Sequence, residues 1–268
     1  MPLCVHTITT KPWSLEEALE HYPPAGVEGI SVWTDALNGR KSTSAGRQIR
    51  EAGLEIVSLV RGGFFPAETE ADRKKSIDDN LALLDQAAEL GAPLIVLVCG
   101  AIPGQSLQVS RNQIAKGIEA ILSKAEALGI RLGIEPLHPM YADNRSAITS
   151  LGQANDMCEL LDSPNLGVTI DVYHTWWDPD LKHEIVRCGS ADNIFSYHVC
   201  DWKTPTQDML NDRGLMGEGC IDIKSISSQV KEAGFNGFTE VEIFSNHYWS
   251  MDQEIFLQKI VDAYRHHT

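Results

Sequence analysis

GIRLGIEP, residues 129–136, holds a helix stop, an apolar run and a terminal carboxylate in one short stretch. Gly129 closes a helical pattern, as glycine does where the chain must turn left-handed. The run that follows reads as a buried parallel strand and ends at Glu135, where Pro136 removes the donor that further pairing needs. LGVTIDVYH (166–174), IFSYHVCDW (194–202) and GFTEVEIF (237–244) have the same grammar, an apolar run closed by a polar residue that could carry chemistry.

Outward from these stretches, strand-like runs alternate with longer helical patterns over the whole chain. Eight strands are predicted: Leu3–His6, Gly29–Val32, Glu55–Val60, Leu94–Val98, Arg131–Glu135, Leu166–Asp171, Ile194–His198 and Phe238–Ile243. Thr69–Leu90 is read as a helix with Ile77, Leu81, Leu84 and Ala88 on one face, and Gln108–Leu128 as another with Ile114, Ile118, Ile121 and Ala125. Ser14 with Glu17 three residues on forms a capping box. EAGLEI, ELGAPLI, ALGIRLGI and EAGFNGF each pass from a helix through glycine into a strand. Eight βα units of this kind predict a single (β/α)₈ barrel, one domain over residues 1–268. An open doubly wound sheet is the competing fold, and the lack of G-x-G-x-x-G after the first strand weakens its dinucleotide-binding form.

Composition narrows the function classes. A net charge of −15 argues against a nucleic-acid partner, whose phosphates call for clustered Lys and Arg. No apolar run is long enough to span a bilayer, so no membrane partner is expected. The N-terminal MPLCVHTITT lacks the pattern of a secretory leader, so a cytoplasmic location is expected. Six cysteines without paired spacing read as reduced thiols.

Barrel enzymes keep their chemistry where the strands end at the C-terminal face. Collected from those ends are Glu135, Asp171, His198 and, from the last run, Glu240 or Glu242. These two acids share a face because strand side chains alternate. Glu242 lies nearer the C-terminal end and is the expected ligand, with Glu240 an inward polar residue beside it. One carboxylate at a strand end is ordinarily an ion-pair partner; four such ends in succession suggest a site for one divalent metal. Three carboxylates and an imidazole suit Mn²⁺, Mg²⁺ or Co²⁺, Mn²⁺ first, with Zn²⁺ also accepted. His6, Trp33 and Arg61 end the first three runs and are candidates for a substrate pocket. His138, Tyr141, Trp176, Trp177, Lys203 and His247 fall on loops after the ligand strands, where specificity is commonly set.

With these residues in place, the chain resembles the xylose isomerase-like barrel superfamily, in its sugar isomerase and epimerase branch. The likeness rests on GIEPLHP, the D-x-x-H of DVYH, YHVCD, RGLMGEGCID and GFNGFTEVEIF, in this order over nearly the whole chain. It implies that Glu135, Asp171, His198 and Glu242 bind a divalent metal and that Glu135 and Glu242 also flank the reacting carbon. It further implies that His174 and Arg213 bind substrate oxygens, with Gly217 and Gly219 shaping the loop that carries Arg213. The implied activity is isomerisation or epimerisation of a keto-sugar or related polyol through an enediolate, and members of the superfamily often form homo-oligomers. A lyase or dehydratase acting on an inosose or 3-keto-glycoside is the alternative, since it begins with the same proton abstraction. An endonuclease IV-like nuclease shares D-x-x-H but needs three metals and a DNA-binding surface, which the acidic charge disfavours.

Overall fold

A computed structural model describes residues 1–268. Its strands are β1 (Leu3–His6), β2 (Gly29–Trp33), β3 (Glu55–Gly63), β4 (Leu94–Val98), β5 (Arg131–Ile134), β6 (Leu166–Asp171), β7 (Ile194–Val199), the short β8 (Asp201–Trp202) and β9 (Arg213–Gly214), and β10 (Thr239–Val241). Its α-helices are α1 (Leu15–His21), α2 (Ser42–Glu51), α3 (Glu70–Leu90), α4 (Leu107–Leu128), α5 (Leu151–Leu161), α6 (Val172–Thr175), α7 (Leu181–Ser190), α8 (Ile223–Glu232), α9 (Asn246–Trp249) and α10 (Gln253–His267). Eight parallel strands close in the order β1-β10-β7-β6-β5-β4-β3-β2, and the (β/α)₈ barrel expected from the sequence is the fold. β8 and β9 pair outside the barrel as an antiparallel excursion between β7 and α8.

Local signals explain the element ends. Ser14 and Glu17 form the capping box of α1, and Thr69 and Ser106 cap α3 and α4 through their side chains. Gly91 and Gly129 end α3 and α4 in the left-handed conformation. On α4, Ile114, Ile118, Ile121 and Ala125 are all buried as the spacing predicts. On α3 the buried face is rotated: Asn80, Leu84, Ala87 and Leu90 are buried while Ala88 is exposed. Periodicity missed this because Asn80 is polar. Its amide holds the backbone of Gly63 at the end of β3, donating to the carbonyl and accepting from the N–H, so the buried amide is satisfied. The last strand is shorter than predicted, ending at Val241, so Glu242 lies just beyond it.

The barrel interior is where this chain departs from an apolar core. Along five strands, interior positions two residues apart give a lower layer of Cys4, Gly133, Thr169, Ser196 and Glu240, and an upper layer of His6, Glu135, Asp171, His198 and Glu242. Small residues below leave room for the large polar ones above. Gly133 is the tightest case, since a Cβ there would lie 2.5 Å from the Thr169 hydroxyl oxygen. The alternating aliphatic side chains, among them Val5, Ile134, Val168 and Val199, join the core against the helices.

Gly133→Ala is therefore expected to destabilise the chain by about 1–3 kcal/mol through overpacking. Adding Thr169→Ala should recover most of that loss. Urea unfolding of both single variants and the double variant measures the coupling, and an additive cycle would mean that the two residues do not meet.

Candidate functional site

Four of the upper-layer side chains converge. Ligand atoms of Glu135, Asp171, His198 and Glu242 lie within 4.8 Å of one another, and all four residues are buried. They come from β5, β6, β7 and β10, which are consecutive in the closed sheet, so Glu135 and Glu242 stand at the two ends of a four-strand arc. Register aligns Asp171 with His198 and His198 with Glu240. Glu240 lies in the lower layer, outside the four-residue cluster.

Hydrogen bonds below the cluster fix its imidazole. Ser58 donates to Ser31 (2.9 Å), and Ser31 donates to Glu240 Oε2 (2.6 Å). Ser196 donates to Glu240 Oε1, so its oxygen accepts from His198 Nε2 at 2.9 Å. Held in that way, His198 turns Nδ1 upward to within 3.2 Å of Glu135 Oε1. Neither of those two buried atoms has a hydrogen-bond partner, although they face each other. Buried polar atoms without partners are rare, and a pair of them inside a cluster of anionic oxygens fits a divalent cation. The donor set, three carboxylates and one imidazole, is chemically suited to such an ion.

The electrostatics are those of an anionic pocket with too few counter-charges. Burial works against a charged His198, but the Glu240 and Glu135 carboxylates outweigh it and raise its pKa to about 10. Burial likewise raises Asp171, to about 7, with Glu242 and Glu135 adding to the effect against the pull of Arg213. Glu242 is driven the other way: despite burial, His6, His198 and Arg213 hold its pKa below the ordinary carboxylate value.

A cavity of about 240 Å³ opens above this cluster, and Glu135, Glu242, Trp33, Arg61, His174 and Arg213 are on its wall. The larger cavity, about 800 Å³, opens at the opposite end of the barrel, where Glu28, Gly53, Pro93 and Asn236 precede their strands. We place the site in the smaller one because the convergent ligand atoms are there.

Each pocket candidate then has a definite position. His6 is fully buried and does not line the cavity; its Nε2 lies 3.1 Å from Glu240 and its Nδ1 3.1 Å from Glu242, so it braces the two glutamates from the side. Trp33 and Arg61 are half-buried on the wall, with the guanidinium carbon 5.6 Å from the Trp33 ring centre. Arg213 reaches the pocket from β9 and is buried there, donating to Asp171 Oδ2 (3.1 Å) and Glu242 Oε2 (3.0 Å). His174, on α6, lies 3.1 Å from Arg213 Nη2, and burial together with that guanidinium keeps it well below the usual histidine pKa. Gly217 and Gly219 shape the turn around Asp201, whose carboxylate accepts from the N–H groups of Gly217 and Ile221. Of the loop residues, Tyr141 lines the cavity, whereas Lys203 pairs with Asp212 and His247 is exposed. His138, Trp176 and Trp177 join Trp202 and Tyr173 in an aromatic cluster beside the mouth. Lys11, Arg145, Phe244 and Trp249 also line the cavity, and no strand-end pattern marks them.

A family model described as "Xylose isomerase-like TIM barrel" matches residues 24–260. The chain belongs to this family. Within it, a solved structure of a protein from Sinorhizobium meliloti 1021 is 45% identical, with a TM-score of 0.95 over 98% of this chain and 97% of that one. An inosose isomerase of Bacillus velezensis is 24% identical over 95% of this chain and 92% of its own length. A 3-dehydroshikimate dehydratase of Pseudomonas aeruginosa is 28% identical over 87% of this chain, a match that spans 36% of that longer protein.

If the cluster takes a metal ion through His198 and Asp171, the imidazole must give up its proton and so must the protonated fraction of Asp171, so binding near pH 7 should release between one and two protons and tighten as pH rises. Titration calorimetry with Mn²⁺ in buffers of different ionisation enthalpy measures this release. Glu242→Gln should cost metal affinity, whereas Glu240→Gln should leave the ion largely in place, as metal analysis of the purified variants will reveal; the reverse pattern would move the ligand one layer down.

Proposed function

We propose that the chain is a divalent-metal-dependent isomerase or epimerase of a keto-sugar or related polyol, acting by proton abstraction beside a carbonyl. The observation that carries this reading is the convergence of Glu135, Asp171, His198 and Glu242 at the floor of the cavity. Similarity to an inosose isomerase over nearly the full length of both chains supports it. Mn²⁺ is the ion we favour for so oxygen-rich a donor set.

When bound, the ion supplies Lewis-acid stabilisation of the negative charge that develops on the substrate oxygens. The remaining work falls to the chain. Glu135 and Glu242 end the arc of four strands, so a sugar carbon between them is flanked by a carboxylate on each side. One carboxylate takes the proton from carbon, and the electron pair of the broken C–H bond moves toward the carbonyl to give an enediolate. Return of a proton from the other carboxylate to the opposite face completes an epimerisation; return to the neighbouring carbon completes an isomerisation. Glu135 Oε1 faces His198 Nδ1 at 3.2 Å, so the carboxylate can serve the ion through that oxygen and the proton through the other. Glu242 is oriented by His6 and Arg213. Arg213, neutralising Asp171 and Glu242 together, keeps the buried acids from repelling one another apart.

A dehydratase is the second reading, favoured by the similarity to a 3-dehydroshikimate dehydratase. It shares the abstraction step and differs in expelling a leaving group from the next carbon.

Proton NMR of keto-sugars, inososes and 3-keto-glycosides incubated in D₂O with the Mn²⁺-loaded protein separates these readings. Solvent exchange beside the carbonyl with a new isomer is expected; exchange with loss of water would move the assignment to the dehydratase. Glu135→Gln and Glu242→Gln should each lower turnover by about 10²- to 10⁴-fold, the range of a positioned acid–base group. Wild-type exchange that survives complete removal of divalent metal would overturn the metal dependence.

A further inference from the structure

The outer wall of the cavity has a charge character opposite to that of the chain. Lys11, Arg61 and Arg145 line it, and Asp35 is the only carboxylate there besides Glu135 and Glu242 on the floor. In a protein of net charge −15, three cations around one small opening are not a sample of the surface.

The two arginines are held and unpaired. Arg61, in β3, stands with its guanidinium carbon 4.8 Å from the Phe64 ring centre as well as over Trp33. Arg145 belongs to the loop between β5 and α5, and its guanidinium carbon is 5.6 Å from the Tyr141 ring centre. That loop is pinned, since Arg145 donates its backbone N–H to Tyr141 (3.0 Å) and its carbonyl accepts from Gly100 (2.9 Å). Both arginines are half-buried, yet neither guanidinium has a hydrogen bond or an ion pair within the chain. Other half-buried cations have acceptors: Arg187, Lys124 and Lys203 the carboxylates of Asp156, Asp85 and Asp212, and Arg73 and Arg111 backbone carbonyls. Burial first, then the charge of Arg145, holds the Arg61 guanidinium below its ordinary pKa against the opposing pull of Glu135, Asp35 and Glu242. Two planar forks resting on aromatic faces around one cavity, neither paired within the chain, offer the donors that a carboxylate or phosphate accepts from.

We propose that Arg61 and Arg145 form an oxyanion subsite at the mouth of the cavity, so that the substrate carries a carboxylate or phosphate group remote from its reacting carbonyl. Lys11, stacked over Trp249 at 4.6 Å, adds charge at the rim. The substrate class depends on the isomerase reading above; the anion subsite does not.

Calorimetry and solvent exchange test the two parts separately. Inorganic phosphate, D-glucuronate and neutral D-glucose are titrated into the metal-loaded wild type, Arg61→Gln, Arg145→Gln and, as a control for net charge alone, Lys182→Gln. Binding of an anion, weakened about tenfold or more by either arginine variant and unchanged in the control, is expected; Arg145→Lys should restore little, because an ammonium lacks the fork. Stronger binding of phosphate than of glucuronate identifies a phosphate group, and the reverse a carboxylate. In D₂O, keto-sugar phosphates or keto-uronates should exchange faster than their neutral counterparts, and Arg145→Gln should raise KM for the anionic compounds only. Equal handling of neutral and anionic keto-sugars, with Arg145→Gln silent on both, overturns the subsite while leaving the isomerase reading intact. Anion binding lost in Arg145→Gln, with no exchange on any keto-sugar, keeps the subsite and removes the isomerase reading.

Discussion

Everything in this barrel depends on keeping four carboxylates, Glu135, Asp171, Glu240 and Glu242, inside a water-excluding wall of eight strands. An isolated buried carboxylate is costly enough that it ordinarily takes up a proton or a partner. Here the partners are Arg213, His6 and His198, which touch the acids at about 3 Å from above, from the side and from below. Compensation is incomplete, and the strain shows in Asp171, whose pKa rises to about 7 while Glu242 beside the same guanidinium stays ionised. A divalent cation among these oxygens would remove the imbalance, which ties the polar interior to the proposed chemistry.

The layered barrel meets that constraint by dividing labour along each strand. The lower position holds a small or hydroxyl-bearing residue, and the upper position two residues on holds a reactive one. Ser196 under His198 fixes which imidazole nitrogen faces the cluster, and Gly133 under Glu135 lets Thr169 fit beside it. Glu240 under Glu242 is the exception in size, and it takes three donors, Ser31, Ser196 and His6, to hold it. Such a chain of hydrogen bonds specifies orientation more than it adds stability.

Arg213 and much of the cavity wall are arranged differently, because they come from the connections, while Trp33 and Arg61 come from the ends of β2 and β3. The β8–β9 excursion swings Arg213 back over the ends of β6 and β10, and the loop after β5 carries Tyr141 and Arg145 to the rim. An aromatic shelf of Trp202, Tyr173, Trp176 and His138 supports one side of that mouth. Loops so fixed can differ in sequence without disturbing the floor, which keeps the proposed catalytic residues apart from the side chains around the mouth.

The strand ends were legible in the sequence because a parallel strand buried on both faces leaves an apolar run, and an acid or histidine closing that run stands out against it. Glu135, Asp171, His198 and Glu242 were all found in this way, and β1, β4 and β6 kept their predicted bounds. The buried face of α3 was misread because the decisive contact, Asn80 on Gly63, is polar and long-range. His6 was grouped with the substrate pocket, since a histidine ending a strand gives no sign of the two glutamates, more than 230 residues away, that enclose it. Arg145 left no trace at all, being one basic residue in an irregular loop. The sequence by itself thus determined the barrel and the residues at its strand ends, because periodicity and termination are local properties of the chain. Only the tertiary structure decided which of Glu240 and Glu242 joins the cluster, where His6 turns its nitrogens and which cations converge on the cavity, because those outcomes depend on closure of β10 against β1 and on loops whose ends are set by other strands.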